Sequence, residues 1–168
     1  MDRPDTAPAP AGAPAPPDAL DRLVRVGERF GRTVRWSAGE IRDFAAAVGD
    51  ANPMHHDARF AAATPVGGLI ASGTQTTSAM MAAFASWFTR RDDGQARSAL
   101  GMDFRFRLRA PVRPDEEVRI DWEVVSREFK PRHGGFVIRA LGTARTPAGV
   151  VLEAEGSGLV MPAPPGAQ

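Results

Sequence analysis

Hydrophobic positions in the chain change period near its middle. From Ser37 onward the apolar residues Ile41, Phe44, Ala45 and Val48 fall at i, i+3, i+4 and i+7, one stripe of an amphipathic helix. Ser37 and Glu40 form a capping-box pair at its start, and Gly49 stops it, glycine being the easiest left-handed residue. A short extended piece at Val34, Arg35 and Trp36 precedes this helix. Asp57 is placed to cap a short alanine-rich helix running through Thr64, and Gly67-Gly68 breaks the chain again. A longer helix is predicted over 74–90, where Met80, Met81, Phe84, Trp87 and Phe88 make a broad apolar surface among small alanines.

After a polar loop at 91–97 the period becomes 2. Met102, Phe104, Phe106 and Leu108 alternate with Asp103, Arg105, Arg107 and Arg109. Val118, Ile120, Trp122 and Val124 alternate with Arg119, Asp121 and Glu123. This is the pattern of half-buried antiparallel strands. Residues 136–145 and 150–160 supply two more, joined by the turn Thr146-Pro147-Ala148-Gly149. Helices first and strands afterwards predict an α+β domain, with one long helix lying against an antiparallel sheet.

Residues 1–20 differ from this pattern: six prolines and six alanines leave little to bury, so a disordered leader is expected. The expected organisation is a leader over 1–20, one domain over 21–162, and a flexible tail over 163–168. Charge adds little, because 21 lysines and arginines stand against 20 acids; nothing in the balance calls for nucleic acid. No apolar run approaches the roughly 20 residues that span a bilayer, and no export signal precedes the domain, so a soluble cytoplasmic protein is expected. Cysteine is absent, which excludes disulfides and thiolate nucleophiles and suits a reducing compartment. Neither cofactor nor metal is expected: His55, His56 and Asp57 are adjacent and lack the helical ligand spacing of a zinc hydrolase.

Chemistry concentrates at Gly49–Gly73. Asp50 and His55 lie five residues apart around Asn52-Pro53, which forces a non-helical turn, and an acid and an imidazole held together can hold and deprotonate a water. Asp50 follows a helix C-terminus, whose partial negative charge would keep its carboxyl protonated to higher pH. Asp50 and Asn52 are also ordinary turn-capping residues, and His55 could be a satisfied buried histidine. His56 and Asp57 read as structural, His133 as a surface residue, Arg105, Arg107 and Arg109 as a solvated sheet face, and Met80 and Met81 as core.

The segment Phe44-x4-Gly49-Asp50-x-Asn52-Pro53-x-His55-x-Asp57, the link through Gly68-Leu69-Ile70, the Ser72-Gly73 start of the long helix, and Ala110-Pro111-Val112-Arg113-Pro114-Asp115 before a strand resemble the MaoC-like acyl dehydratases, or (R)-specific enoyl-CoA hydratases. The likeness spans most of 30–162. Many members have histidine-glycine where this chain has Ser72-Gly73. The resemblance implies a hot-dog fold and a homodimer with active sites near the subunit interface. It further implies addition of water across a trans-2-enoyl-CoA or acyl-carrier thioester. Asp50 and His55 would then be the catalytic dyad, Asp50 as base and His55 as acid. Asn52, Ser72 and Gly73 would face the substrate, with backbone amides near Gly73 receiving the thioester oxygen. A hot-dog thioesterase and a non-catalytic acyl-CoA-binding subunit are the rival readings on the same fold.

Overall fold

A computed structural model describes residues 20–90 and 93–164. All but Leu20 of the expected leader, and 165–168 of the expected tail, lie outside the described residues.

The elements run β1 (Arg29–Val34), α1 (Ala38–Ala47), α2 (Ala58–Ala62), α3 (Gly73–Thr89), β2 (Arg97–Leu108), β3 (Val118–Lys130), β4 (Gly135–Thr146) and β5 (Gly149–Pro162). The five strands form one antiparallel sheet in the order β1-β3-β4-β5-β2. The sheet curls around α3, which makes this the hot-dog fold.

Both predicted helix signals operate. Ser37 Oγ accepts from Glu40 N at 3.2 Å while Glu40 Oε2 accepts from Ser37 N at 2.8 Å, which closes the capping box that starts α1. Gly49 then takes φ 72°, a left-handed conformation that reverses the chain directly before Asp50. Ile41 and Ala45 are buried, but Val48 is exposed at the end of the stripe, because the helix has already left the core there.

Helix α3 buries Met80, Ala83, Phe84 and Phe88 against the sheet, whereas Met81 of the expected apolar surface is exposed on the opposite side. Phe84 sits among Phe30, Phe88, Phe104 and Trp122 in edge-to-face contacts with centroids 5.3–6.1 Å apart. Room for these rings comes from missing side chains on the sheet. A Cβ at Gly142 would lie 2.6 Å from the Trp122 ring, and one at Gly158 would lie 2.8 Å from Phe84. The Trp122 indole donates to the Met80 carbonyl at 3.1 Å, so even the largest core residue leaves no polar atom stranded against the helix.

Two strand expectations are corrected. The first strand is Arg29–Val34, ahead of the Val34–Trp36 piece, and it pairs with β3 from Arg29↔Glu123 to Val34↔Val118. Of the four apolar residues expected to alternate inward along β2, only Phe104 and Phe106 pack against the core. Met102 is 61% exposed because it sits at a bulge between Gly101 and Asp103 that shifts the alternation, and Leu108 is 59% exposed as the last residue of an edge strand, beside the first residue of α3. By contrast Val118, Ile120, Trp122 and Val124 are all buried as the alternation predicts.

The segment before β1 is held by arginines. The buried Arg97 guanidinium donates to the carbonyls of Leu23 at 2.8 Å and Arg22 at 3.0 Å and pairs with Asp93 at 2.6 Å. Arg127 donates to the Val24 carbonyl at 2.7 Å and lies over the Phe136 ring. A buried cation persists where every donor has a partner, and Arg97 meets that condition.

Candidate active site

Three separate pieces of chain converge at the N-terminus of α3. The first is the turn after α1. Asp50 N donates to the Ala45 carbonyl at 2.8 Å, and Asp50 Oδ1 accepts from Asn52 N at 3.1 Å, so the residue is fixed at both its amide and its carboxylate. The second is the 3-10 turn Pro53–His55, which Asn52 caps by accepting from Met54 N at 3.1 Å. This turn brings His55 back over Asp50, with 3.4 Å between His55 Nε2 and Asp50 Oδ2. The third is the link into α3, where Ser72 Oγ donates to Asp50 Oδ2 at 2.8 Å. Ser72 occupies the N-cap position of α3 yet makes no capping bond, its hydroxyl being committed to Asp50 instead.

His55 and Ser72 are only 6% and 2% exposed, while Asp50 retains some access to solvent. His55 Nδ1 lies 2.9 Å from the Ile70 carbonyl. A carbonyl only accepts, so Nδ1 carries the proton and, in the neutral ring, Nε2 presents its lone pair toward Asp50. The Asp50 carboxyl is held below the usual aspartate value. The Ser72 hydroxyl is the main cause, then the Asn52 amide, with the nearby His55 and His56 rings adding to the effect against a smaller opposing push from burial. The direction is opposite to that expected from the helix C-terminus, because two donors bonded directly to the carboxylate outweigh the diffuse charge of a helix end.

His56 is structural, as expected, and its work is local: Nε2 donates to the Asp50 carbonyl at 2.6 Å, and its own carbonyl accepts from Arg42 Nε at 3.1 Å. Asp57 caps α2, accepting from Arg59 N at 2.8 Å and Phe60 N at 3.1 Å. Asn52 is exposed and its side-chain oxygen serves the cap, whereas Asp50, His55 and Ser72 are brought into contact and Gly73 lies at the cavity wall. His133 is exposed in the turn between β3 and β4.

A cavity of about 360 Å³ opens beside the pair, lined by His55, Ile70, Ala71, Gly73, Thr76, Leu108, Val112 and Val151, with Arg109 at its margin. Its walls are mainly apolar, suited to a short hydrocarbon chain. Gly73 lets the wall close up here, since a Cβ there would lie 2.6 Å from Leu108 Cδ1 and would push that exposed side chain aside. As the first residue of α3, Gly73 has an amide with no carbonyl of the preceding helical turn to serve. A larger depression of about 590 Å³ among Asp21, Arg22, Arg25 and Arg127 holds no acid–imidazole pair. Among the described residues no group of three histidine or carboxylate side chains is arranged to hold a metal ion.

Several contributors carried no local signal in the sequence. Ile70 acts through its carbonyl, and Thr76 and Leu108 through position alone. Beside them Gln75 is buried with its Oε1 unpartnered among the described residues. Only the polar interruption of the buried face of α3 by Gln75 and Thr76 hinted at those two.

No curated protein matches the chain in sequence. Among solved structures, the unliganded R-hydratase PhaJ1 from Pseudomonas aeruginosa superposes with a TM-score of 0.68 at 25% identity, covering 83% of this chain and 84% of that one. A MaoC-like dehydratase from Rhodospirillum rubrum gives a TM-score of 0.70 at 23% identity over 85% and 97% of the two chains. The (R)-hydratase from A. caviae involved in PHA biosynthesis gives 0.65 at 24% over 83% and 98%. The latter two likenesses are of fold. With the hot-dog sheet, the Asp50–His55 pair and the cavity beside it established, the match of residues 24–137 to the family model described as the MaoC like domain assigns the chain to the MaoC-like dehydratase family.

Proposed function

We propose that this chain adds water reversibly to a trans-2-enoyl-CoA thioester, giving a 3-hydroxyacyl-CoA of R configuration, with Asp50 and His55 as the catalytic dyad. The observation that carries this reading is the 3.4 Å approach of His55 Nε2 to Asp50 Oδ2 at the wall of an apolar cavity. Two acceptors so placed can share the two hydrogens of one water.

The geometry favours a division of labour opposite to the one expected from the sequence. Asp50 is held as a carboxylate by Ser72 and Asn52, and His55 keeps a free Nε2 because its Nδ1 proton is committed to Ile70. In this reading Nε2 takes the water proton as the oxygen bonds to C3, the Asp50 carboxylate stabilises the imidazolium, and the same proton is returned to C2. Each such transfer is worth roughly 10²–10⁴ in rate. Negative charge growing on the thioester oxygen meets the first amides of α3 at Gly73, where a fixed donor is worth about 3 kcal/mol. Ser72 serves this reaction by holding the carboxylate, and Asn52 by shaping the turn.

The functional unit of this reading is a homodimer. Its support is the edge strand β2, whose exposed Leu100 and Met102 lie on an unpaired strand edge and whose exposed Leu108 also lines the cavity. A monomeric mass in light scattering would remove the dimer from the proposal.

The deciding experiment follows enoyl-thioester absorbance with crotonyl-CoA and longer enoyl-CoAs, alongside a free-thiol assay. Loss of absorbance without thiol supports hydration. Release of thiol would convert the reading to a thioesterase, and binding without turnover to an acyl-CoA-binding subunit.

A further inference from the structure

The hydrogen bonds around Asp50 continue one residue beyond those that touch the reaction. Ser72 Oγ lies 2.8 Å from Asp50 Oδ2 and 2.7 Å from Thr74 Oγ1. A hydroxyl has one proton to give. An ionised carboxylate can only accept, so the Ser72 proton is committed to Asp50, and the short contact with Thr74 requires Thr74 Oγ1 to donate. The three residues therefore form a one-way chain, Thr74 to Ser72 to Asp50.

We propose that Thr74 is a positioning residue which acts through Ser72 to fix the orientation of the Asp50 carboxylate and to keep it ionised. The inference rests on the hydration reading for its kinetic consequence, but not for its electrostatic one. A hydroxyl that accepts a hydrogen bond becomes a better donor, because each bond polarises the next. Thr74 also removes the alternative in which Ser72 rotates to cap its own helix, since its hydroxyl is held from both sides.

Other groups facing Asp50 do not duplicate this effect. His55 Nε2 stands 3.4 Å from the same carboxylate oxygen, and His56 Nε2 bonds to the Asp50 carbonyl. Asn52 N serves the other oxygen, Oδ1. Arg109, the charged side chain at the cavity margin, is engaged with Glu153 at 2.7 Å. Ser72 is thus the donor on the oxygen that faces His55, and Thr74 is the group that orients it.

Thr74 lies exposed in the first turn of α3, so its replacement leaves the core untouched. The test compares Thr74→Val, which keeps the shape and removes the donor, with Thr74→Ser, which keeps the donor. The first readout is the titration of the Asp50 carboxyl carbon by ¹³C NMR, which needs no substrate. Loss of the polarising donor weakens the Ser72 bond, so the Asp50 midpoint rises in Thr74→Val. Thr74→Ser returns it to the wild-type value, and in a Ser72→Ala background Thr74→Val causes no further shift. The second readout is the kinetics of enoyl-CoA hydration. With the carboxylate that steadies the imidazolium less firmly held, kcat falls a few-fold in Thr74→Val with KM unchanged, and Thr74→Ser restores it. An unchanged midpoint in Thr74→Val, or an equal rise in Thr74→Ser, would overturn the proposal. A wild-type protein silent toward enoyl-CoAs would remove the hydration reading instead, and the carboxyl titration would still decide whether the chain of hydroxyls operates.

Discussion

The two ends of helix α3 are built from opposite materials. At its C-terminal end Phe84 and Phe88 are buried among Phe30, Phe104 and Trp122, whose indole N–H is satisfied by the Met80 carbonyl. At its N-terminal end the buried residues are Ser72, Gln75 and Thr76, and the neighbours are Asp50 and His55. Burying aromatic area stabilises the fold without directional demands, whereas burying hydroxyls and amides costs free energy unless each finds a partner. The helix is thus anchored at one end, and the rigidity gained there lets the other end hold polar groups in a defined geometry. Stability and chemistry are segregated along one element, with Ser72 and Phe84 about three turns apart.

Breaking the anchored end should cost most. Phe84→Ala removes a ring that meets four other aromatic side chains and is expected to lower unfolding free energy by about 3–5 kcal/mol, read by denaturant titration. Should that loss be under about 1 kcal/mol, the aromatic end would not be the anchor.

At the other end the largest effect belongs to rate. Asp50→Asn is expected to reduce enoyl-CoA hydration at least about 10²-fold while the denaturation midpoint stays near wild type. An Asp50→Asn protein as unstable as Phe84→Ala would show that the two ends are not segregated.

Ser72→Ala sharpens the comparison through pH. The Asp50 carboxyl is depressed in the folded protein, so its contribution to stability is present above the ordinary aspartate value and is lost as pH falls through the depressed one. Removing the main donor raises the folded value toward the ordinary one. The acid-side loss of stability then shrinks in Ser72→Ala. Parallel stability curves for the two proteins below pH 5 would contradict this.

The smallest effect is expected at Gln75, whose buried Oε1 lacks a partner. Gln75→Met, similar in length and apolar, should raise stability by about 1 kcal/mol. A loss instead would mean that the amide has a partner when the protein is assembled or occupied, and would move Gln75 from the cost side of the site to its working parts.

Legibility followed sequence distance. The Ser37–Glu40 box, the Gly49 stop, the Asp57 cap and the approach of His55 to Asp50 are all set within a few residues, and each was readable from spacing. The buried alternation of β3 was equally plain, because β3 is flanked on both sides by strands and covered by α3. The same alternation in β2 misled at Met102, where a bulge shifts the pairing, and at Leu108, the last residue of an edge strand. β1 escaped notice because its residues, Arg29 to Val34, bury only Phe30 and Val34 and carry no clean period. The direction of the Asp50 shift was misjudged because its main cause, Ser72, lies 22 residues away.

What the chain determined by itself is therefore local: where α1 begins and ends, which turn follows it, and that an acid and an imidazole stand near each other behind that turn. Backbone sterics, caps and proline act over three or four residues, and their effects can be read without a fold. The tertiary structure decided which lone pair of His55 is free, through the Ile70 carbonyl; how strongly Asp50 is held as a carboxylate, through Ser72; and which apolar side chains of β2 stay uncovered. Those outcomes depend on distances between residues far apart in the chain, and hydrogen bonds and burial are functions of distance in space.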